Sequence, residues 1–435
     1  MIPSFQFWSV REWLCACLVL GLIGARRVAQ FRLAELNLRH LRMHANQIPE
    51  ALRAVMDDAT YARSVAYARA NGRLGQIENS FDALVLLFVL VSGVLPLAFF
   101  VFQNSFGTSA WVAAAYLFAV GAALAILRLP LDWYDQFRVE ARFGFNTATQ
   151  KTWWLDRVKG FLLALVLGYP LVVLVLKIVE WTGDRWWLWA WGALLAFQFL
   201  MMVLAPVLIL PLFNKFTPLP EGSLRERLLK LAGRTQFRAR SIQVMDGSKR
   251  SRHSNAFFAG LGRFRKIVLF DTLVAQLSEP ELEAVLAHEI GHYQQKHIPK
   301  LLAWFALGSL AGFFAIAVLA RQEWFYQAFG FEPGSIVPAL LLFGLLAGVV
   351  TFWFSPVQNG WLRRYEYEAD AYAAQVMNDP KPLLGALRKL TEKNLSNLTP
   401  HPAYSAFYYS HPTLLERERA LAGGAPVPDP ARRRP

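Results

Sequence analysis

Long apolar runs constrain the fold of this chain more than any other feature. Each of seven runs has about 20 residues, enough for a helix to cross about 30 Å of hydrocarbon. The residues are 55% hydrophobic and only 17% charged, whereas an average soluble protein is about 25% charged. The sequence therefore predicts an all-α, multi-pass membrane protein with spans at about 6–26, 81–103, 109–127, 160–180, 186–212, 300–320 and 336–357.

The first apolar run has two explanations, a cleaved signal peptide and a retained helix. Residues 13–25 are followed at once by Arg26 and Arg27, and no small-residue cleavage site precedes a mature domain. Acidic Glu12 and several aromatic residues are unlike the basic start of a signal peptide. The sequence favours a retained membrane helix.

Positive charge is concentrated on one side of the predicted membrane protein. The net charge is +14, and nearly all Lys and Arg lie in segments 27–80, 128–159, 213–299 and 358–435. Seven spans place these segments together, and the positive-inside rule makes that side cytoplasmic. No nucleic-acid-binding motif accompanies the charge, so we expect the bilayer, and no nucleic acid, as its partner.

The chain divides into three predicted regions. Residues 1–212 form a membrane region with five spans, and residues 213–423 form a region with the remaining two spans and the longest polar segment. The Pro- and Arg-rich tail, residues 424–435, is predicted to be disordered. Cys15 and Cys17 are the only cysteines, so any metal site must use histidines and carboxylates.

A short motif in the second region predicts metal-dependent hydrolysis. His288 and His292 are four residues apart, so on a helix both imidazoles lie on one face and can bind one metal ion. Glu289 points about 100° away, where it can reach a metal-bound water. This is the H-E-x-x-H arrangement of zinc hydrolases. Ser278 and Glu281 predict a capping box at the start of the helix.

A catalytic zinc usually has three protein ligands, so a third is needed. His297 is more typical of a solvated histidine, and Glu283 more simply complements the helix dipole. Glu366 is the better candidate, since it shares a helix face with Asp370, four residues later. Asp370 is then placed to accept a hydrogen bond from the other ring nitrogen of a liganding histidine.

These motifs resemble the type I CAAX prenyl protease family of integral-membrane zinc metallopeptidases. The resemblance covers roughly residues 40–420. Besides the H-E-x-x-H motif and residues 366–370, it is carried by the segments 143–146, 212–219, 253–258, 266–272 and 409–413. Leu362 stands where the family often has serine, which leaves the assignment of Glu366 intact.

The resemblance implies seven helices around a large intramembrane chamber, with a zincin-like cytosolic protease region that contains a small β-hairpin. It implies one Zn²⁺ per chain, bound by His288, His292 and Glu366, with Glu289 as the general base. By the same resemblance, Asn255 matches a substrate-backbone contact, His411 a catalytic group near the scissile carbonyl, and Arg417 a residue that binds a substrate carboxylate.

The predicted function is hydrolysis of peptide bonds near the cytosolic face of the membrane. The substrate is a peptide or protein, lipid-modified as in CAAX processing or membrane-inserted as in quality control. The compact 213–299 loop and the Arg-rich composition favour a bacterial inner-membrane protein; a eukaryotic member is expected in the endoplasmic reticulum. A transporter, channel or scaffold with a structural zinc site is the alternative, although it explains neither Glu289 nor an edge strand.

Overall fold

The structure is a computed structural model that describes residues 9–45, 48–50, 53, 55–237, 241–259 and 266–423. The predicted disordered tail and the first residues of the predicted first span lie outside the described residues. Membrane-side helices are α1 Val10–Met43, α2 Asp58–Val91, α3 Val94–Phe106, α4 Ala110–Tyr134, α5 Ala141–Phe143, α6 Gln150–Leu163, α7 Tyr169–Thr182, α8 Trp186–Leu204 and α9 Leu210–Phe213. The later helices are α10 Ser223–Arg234, α11 Asp271–Gln276, α12 Glu279–Gln294, α13 His297–Leu319, α14 Glu323–Gln327, α15 Ile336–Thr351, α16 Ser355–Met377, α17 Lys381–Lys393, α18 Pro402–Tyr408 and α19 Leu414–Ala422.

Six helical segments in the described chain are long and apolar enough to cross a membrane. One of them, Gln150–Phe213, contains two predicted spans and turns at Gly183, whose φ of 52° is left-handed. Helices α7 and α8 pack against each other on either side of this turn. The number of seven spans stays a prediction. The six segments are Val10–Met43, Asp58–Val91, Ala110–Phe143, Gln150–Phe213, His297–Leu319 and Ile336–Met377.

The predicted span at 81–103 is not one helix. Helix α2 ends at Val91, and α3 begins after Gly93, which has a left-handed φ of 73°. A glycine adopts this conformation without the steric cost that other residues bear. Helix α2 also begins at Asp58, far before the apolar run, so its polar half projects from the membrane region. Hydrophobicity located the apolar half, whereas backbone conformation decided where the helix ends.

The described strands form one four-stranded sheet in the order β1-β2-β4-β3. The strands are β1 Phe216–Pro218, β2 Ser241–Met245, β3 Ala256–Ala259 and β4 Lys266–Phe270. The antiparallel pairing of β3 with β4 is the predicted hairpin, which is confirmed. The parallel pairing of β2 with β4 and the antiparallel pairing of β1 with β2 were not predicted. Strand β3 lies at the edge of the sheet.

Helix α12 is the centre of the polar-side core. Leu282, Leu286 and Ile290 are almost completely buried, in a cluster that includes residues of α10, β2, β4 and α17. Helix α12 also packs extensively on α16. At the crossing, a Cβ added to Gly291 would lie 3.0 Å from the Cα and carbonyl oxygen of Ala369. Only glycine permits this approach of the two helices.

We therefore expect Gly291→Ala to destabilise the fold by about 1–3 kcal/mol, because the new methyl group must push the backbone of α16 away. A lowered melting temperature would show it. Gly233→Ala in α10 is the matched control, since nothing lies within 4 Å of its added Cβ. The control should be neutral or slightly stabilising because alanine favours the helix. Equal melting temperatures for Gly291→Ala and wild type would contradict the close packing.

Candidate metal centre

Helix α12 begins with the predicted capping box. The backbone N–H of Ser278 donates to Oε2 of Glu281 at 2.7 Å, and Pro280 lies in the first turn, where the helix needs no backbone donor. Lys389 of α17 also contacts Glu281 at 2.7 Å. The capping box and the α17 contact fix the start of the helix that carries the histidine pair.

Three predicted ligands converge between α12 and α16. The Nε2 atoms of His288 and His292 are 3.2 Å apart. Glu366 places Oε2 at 3.4 Å from the Nε2 of His288 and Oε1 at 3.3 Å from the Nε2 of His292. In the described chain, these three residues are the set that could hold a metal ion.

The chemistry and spacing of these ligands fit zinc. Ligand atoms at 2.0–2.2 Å from a tetrahedral ion lie about 3.3–3.6 Å from one another, which is close to the spacings found here. Oε2 of Glu366 is buried and has no hydrogen-bond partner among the described residues. A buried carboxylate oxygen without a partner is costly, and a cation between the carboxylate and the two imidazoles removes that cost.

Asp370 contacts the far side of His288. Its Oδ1 accepts a hydrogen bond from Nδ1 of His288 at 2.8 Å, so the Nε2 of His288 faces Glu366. Arg417 of α19 donates through Nε to Oδ2 of Asp370 at 2.7 Å and through Nη2 to Oδ1. All three residues are buried. The contact that the sequence predicted for Asp370 is therefore present.

Arg417 itself lies behind the ligands. Its Nη1 is 3.9 Å from Oε2 of Glu366, and its Nη2 is 3.4 Å from Nδ1 of His288. Arg417 is buried and makes two contacts with Asp370, and its predicted contact with a substrate carboxylate stays a prediction. The ordinary charge-assisted pairing of arginine with a carboxylate explains this geometry.

His297 is a site residue that the sequence reasoning missed. A solvated side chain was expected, but His297 is only 1% exposed. Its Nδ1 lies 2.9 Å from Nδ1 of His292, and its Nε2 lies 3.0 Å from Oε2 of Glu368. Its ring stacks on Tyr365 at 4.2 Å. His297 therefore supports His292 as Asp370 supports His288.

The backbone break between α12 and α13 produces this contact. Lys296 has a left-handed φ of 55°, and His297 is the first residue of α13. The turn carries the imidazole back toward α12, which a continuous helix would not do, because residues five apart are well separated around the axis. In the sequence, the signal for this break was a histidine five residues after the motif, followed closely by Pro299.

The general-base candidate is free of competing contacts. Glu289 is half-buried on α12, and none of the described residues donates a hydrogen bond to its carboxylate. Burial raises the pKa of Glu289, and the neighbouring imidazoles of His288 and His292 oppose this effect. A carboxylate with a raised pKa is a better proton acceptor near neutral pH than an ordinary one.

His411 lies at the open side of the same cluster. Its Nε2 is 3.3 Å from Oε1 of Glu366, and its side chain is 66% exposed. Arg363 holds the preceding residues, since its Nη1 donates to the carbonyl of Tyr409 at 2.7 Å. The exposure of His411 leaves it accessible to a substrate beside the ligand set.

Asn255 precedes the edge strand and is exposed. Its backbone carbonyl accepts from the N–H of Phe270, and its side-chain Oδ1 accepts from the N–H of Ala256 at 2.8 Å. Strand β3 contacts α12, so the edge lies beside the helix of the histidine pair.

The short motif at residues 143–146 packs against the segment that leads into β3. Phe145 stacks on His253 at 4.1 Å, and the backbone carbonyl of Phe145 accepts from the N–H of Arg252.

Glu283, a rejected third-ligand candidate, does not face the site. It is buried and pairs with Arg227 at 2.7 Å and with Arg234 at 3.3 Å. Both arginines belong to α10, so Glu283 links that helix to α12. This contact explains a buried carboxylate near the motif without a metal.

Comparisons with known proteins agree with this geometry. Residues 37–215 match the family described as CAAX prenyl protease N-terminal, five membrane helices, and residues 218–424 match peptidase family M48. A CAAX prenyl protease 1 homolog of Oryza sativa is 35% identical over 394 residues, which cover 88% of this chain and 92% of that protein. The chain belongs to the CAAX prenyl protease family. It is an integral-membrane zinc metalloprotease, and this decides against a transporter or scaffold.

Two further relatives support the assignment. CAAX prenyl protease 1 of Saccharomyces cerevisiae is 35% identical over 416 residues, which cover 88% of this chain and 90% of that protein. The crystal structure of S. mikatae Ste24p superposes with a TM-score of 0.85 at 33% identity, covering 93% of this chain and 98% of that one. The predicted helical multi-pass fold with a small sheet is confirmed, whereas the seven spans, the large chamber, the division at residue 212 and the bacterial source stay predictions.

The contacts of His297 generate a prediction. His297→Phe keeps the ring on Tyr365 but removes both hydrogen bonds, so the orientation of His292 is lost. We expect zinc affinity to fall about 10–100-fold, as for other partners of liganding histidines. Competition with a chelator measures the affinity. Glu368→Gln, which keeps an acceptor for His297, should have a smaller effect. Unchanged zinc affinity in His297→Phe would reduce His297 to a packing residue.

Proposed function

We propose that this protease binds one Zn²⁺ through His288, His292 and Glu366 and hydrolyses peptide bonds beside that ion. The observation that supports this most strongly is the convergence of the three side chains: the two Nε2 atoms lie 3.2 Å apart, and each lies 3.3 to 3.4 Å from one carboxylate oxygen of Glu366. When bound, zinc polarises a peptide carbonyl and lowers the pKa of a bound water to about 7.

Glu289 is the proposed general base. Its carboxylate accepts the proton of the attacking water and then transfers it to the amine that leaves. The raised pKa supports this second step, since a more basic carboxylate holds the proton until the amine needs it. Its freedom from hydrogen bonds to the described residues keeps both oxygens available to water.

Strand β3 is the proposed support for the substrate backbone. Its outer edge has no partner among the described strands, and it contacts α12. An extended peptide added to such an edge gains main-chain hydrogen bonds and lies beside the ligand set. Asn255, exposed at the start of β3, is placed to contact the same peptide.

His411 is proposed to stabilise the charge that develops on the carbonyl oxygen. It is exposed beside Glu366 and can donate from Nε2 toward a substrate in the site. Loss of one such donor typically lowers the rate by about 10²–10³. Arg417 is proposed to hold Asp370, and through it His288, in the orientation that zinc requires.

The substrate class is proposed from the names of the relatives, which are CAAX prenyl proteases. We propose a prenylated C-terminal CAAX peptide as the substrate, cleaved at the cytoplasmic side of the membrane. For a bacterial inner membrane, where prenylated proteins are not expected, cleavage of membrane-inserted proteins in quality control takes its place. The same catalytic residues serve both substrates.

Two substitutions separate metal binding from catalysis. Glu289→Gln should keep zinc but lower turnover by about 10²–10⁴, because it removes the base and no ligand. Glu366→Gln should lose zinc as well as turnover. Metal analysis of the purified proteins, alongside cleavage of a reporter peptide, measures both properties. Wild-type turnover in Glu289→Gln, or wild-type zinc content in Glu366→Gln, would refute the respective assignment.

Substrate class is tested with matched peptides. A farnesylated CAAX peptide, its unprenylated form and a loop peptide of a membrane protein are offered to the wild-type protein, with Glu289→Gln as the inactive control. If the protein processes CAAX substrates, the farnesylated peptide should be cleaved at least about tenfold faster than its unprenylated form. A tenfold ratio corresponds to a free-energy difference of about 1.4 kcal/mol. Equal rates for the first two peptides would exclude recognition of the prenyl group.

A further inference from the structure

A second polar feature lies among the membrane helices, apart from the metal centre. A cavity of about 420 Å³ is bordered by residues of α1, α2, α4 and α15. None of the proposed ligands or catalytic residues lines it. Its walls combine three arginines and one carboxylate, Asp82, with apolar side chains that include Ile23, Leu86 and Val89; the arginines are Arg26, Arg27 and Arg128.

One of these arginines is fully compensated. Arg128 lies 3.4 Å from Glu78 and 3.5 Å from Asp132, and it also makes a short contact with Asp82. Three carboxylates therefore surround this single guanidinium. Arg128 needs no further anion.

The other two arginines lack such compensation. No carboxylate of the described residues lies within ion-pair distance of Arg26 or Arg27. The Nε of Arg26 and the Nη1 of Arg27 are buried and have no hydrogen-bond partner in the described part of the chain. A buried charged donor without a partner carries a large desolvation cost. Two adjacent residues with this defect favour an anion that contacts both.

Both guanidinium groups are nevertheless held in place. Arg27 donates to Oγ of Ser80 at 2.6 Å through Nη2, and Arg26 lies over the ring of Phe352 at 5.5 Å. These contacts do not supply a hydrogen-bond acceptor to the Nε of Arg26 or the Nη1 of Arg27. The arrangement is preorganised, so binding an anion requires little further ordering of these side chains.

The position of the cavity along the membrane normal indicates the anion. The apolar run of α1 ends immediately before Arg26, that of α4 ends before Arg128, and that of α2 begins just after Ser80. All the polar groups of the cavity thus lie at one membrane boundary. The apolar wall, which includes Ile23 and Val89, continues into the hydrocarbon region.

We propose that this cavity binds an anionic phospholipid of the cytosolic leaflet. Its phosphate contacts Arg26 and Arg27, and one acyl chain lies along Ile23, Leu86 and Val89. Basic pockets between membrane helices on the cytoplasmic side are known to bind lipid head groups through this combination of charge and apolar surface. The bound lipid links α1, α2 and α15, and therefore stabilises the assembled membrane region.

The full-length protein, delipidated in detergent, tests this proposal. Phosphatidylglycerol or phosphatidylcholine is added in increasing amounts, while the melting temperature and the mass of the intact complex are recorded. We expect phosphatidylglycerol to raise the melting temperature and to remain bound. In the double variant Arg26→Gln/Arg27→Gln, its apparent affinity should fall about tenfold or more, since two charge-assisted contacts are lost.

Arg32→Gln is the matched control. Arg32 is an exposed residue of α1 that does not line the cavity. Its replacement removes one positive charge from the same helix and leaves the cavity unchanged. It should respond to phosphatidylglycerol as wild type does. A double variant that responds like Arg32→Gln would overturn the proposal.

Two further measurements keep the test decisive. If the double variant fails to fold in phosphatidylcholine, Val89→Phe replaces it: this change keeps both arginines but fills the apolar wall, and should also weaken phosphatidylglycerol binding about tenfold. Full lipid binding in Val89→Phe would overturn the proposal. Inorganic phosphate or a peptide carboxylate that produces the same thermal shift as phosphatidylglycerol would also overturn it, because each lacks an acyl chain.

Discussion

The close approach of α12 and α16 at Gly291 is the contact on which the catalytic centre depends. Helix α12 carries both histidines, whereas α16 carries Glu366, and the two are separated in sequence by two membrane helices. A metal site needs its ligand atoms within a few tenths of an ångström of their ideal positions. The absence of a side chain at Gly291 lets the backbones pack closely enough for this spacing.

Each of the two histidine ligands has a hydrogen-bonding partner on the side away from Glu366. Asp370 orients His288 and is itself held by Arg417, while His297 orients His292 and is held by Glu368. Each liganding imidazole therefore has one fixed partner behind it. Partners of this kind determine which ring nitrogen faces the metal. The supporting residues come from α13, α16 and α19, so a candidate membrane span and two later helices all contribute to the site.

The membrane region contains a separate cluster of positive charge at the cavity between α1, α2, α4 and α15. Arginine at one membrane boundary is the pattern that the positive-inside rule describes, and Arg26 and Arg27 also line the cavity of the proposed lipid site. Both residues line a partly apolar cavity between helices and have unpartnered buried nitrogens, whereas Arg128 pairs with carboxylates. The proposed lipid supplies an anion for Arg26 and Arg27, since Asp82, which also lines the cavity, pairs with Arg128.

The sequence by itself determined the membrane class and the helix of the H-E-x-x-H motif, because hydrophobic length and helical spacing are local properties. It predicted Glu366 as the third ligand, and the structure brings Glu366 to the two histidines. It also predicted the β3-β4 hairpin and the contact between Asp370 and His288. Tertiary structure alone decided the rest: the break at Gly93, the two additional strands, the buried position of His297 and the engagement of Arg417 with Asp370. These features depend on backbone turns and on contacts between distant helices, and neither leaves a periodic signal in the chain.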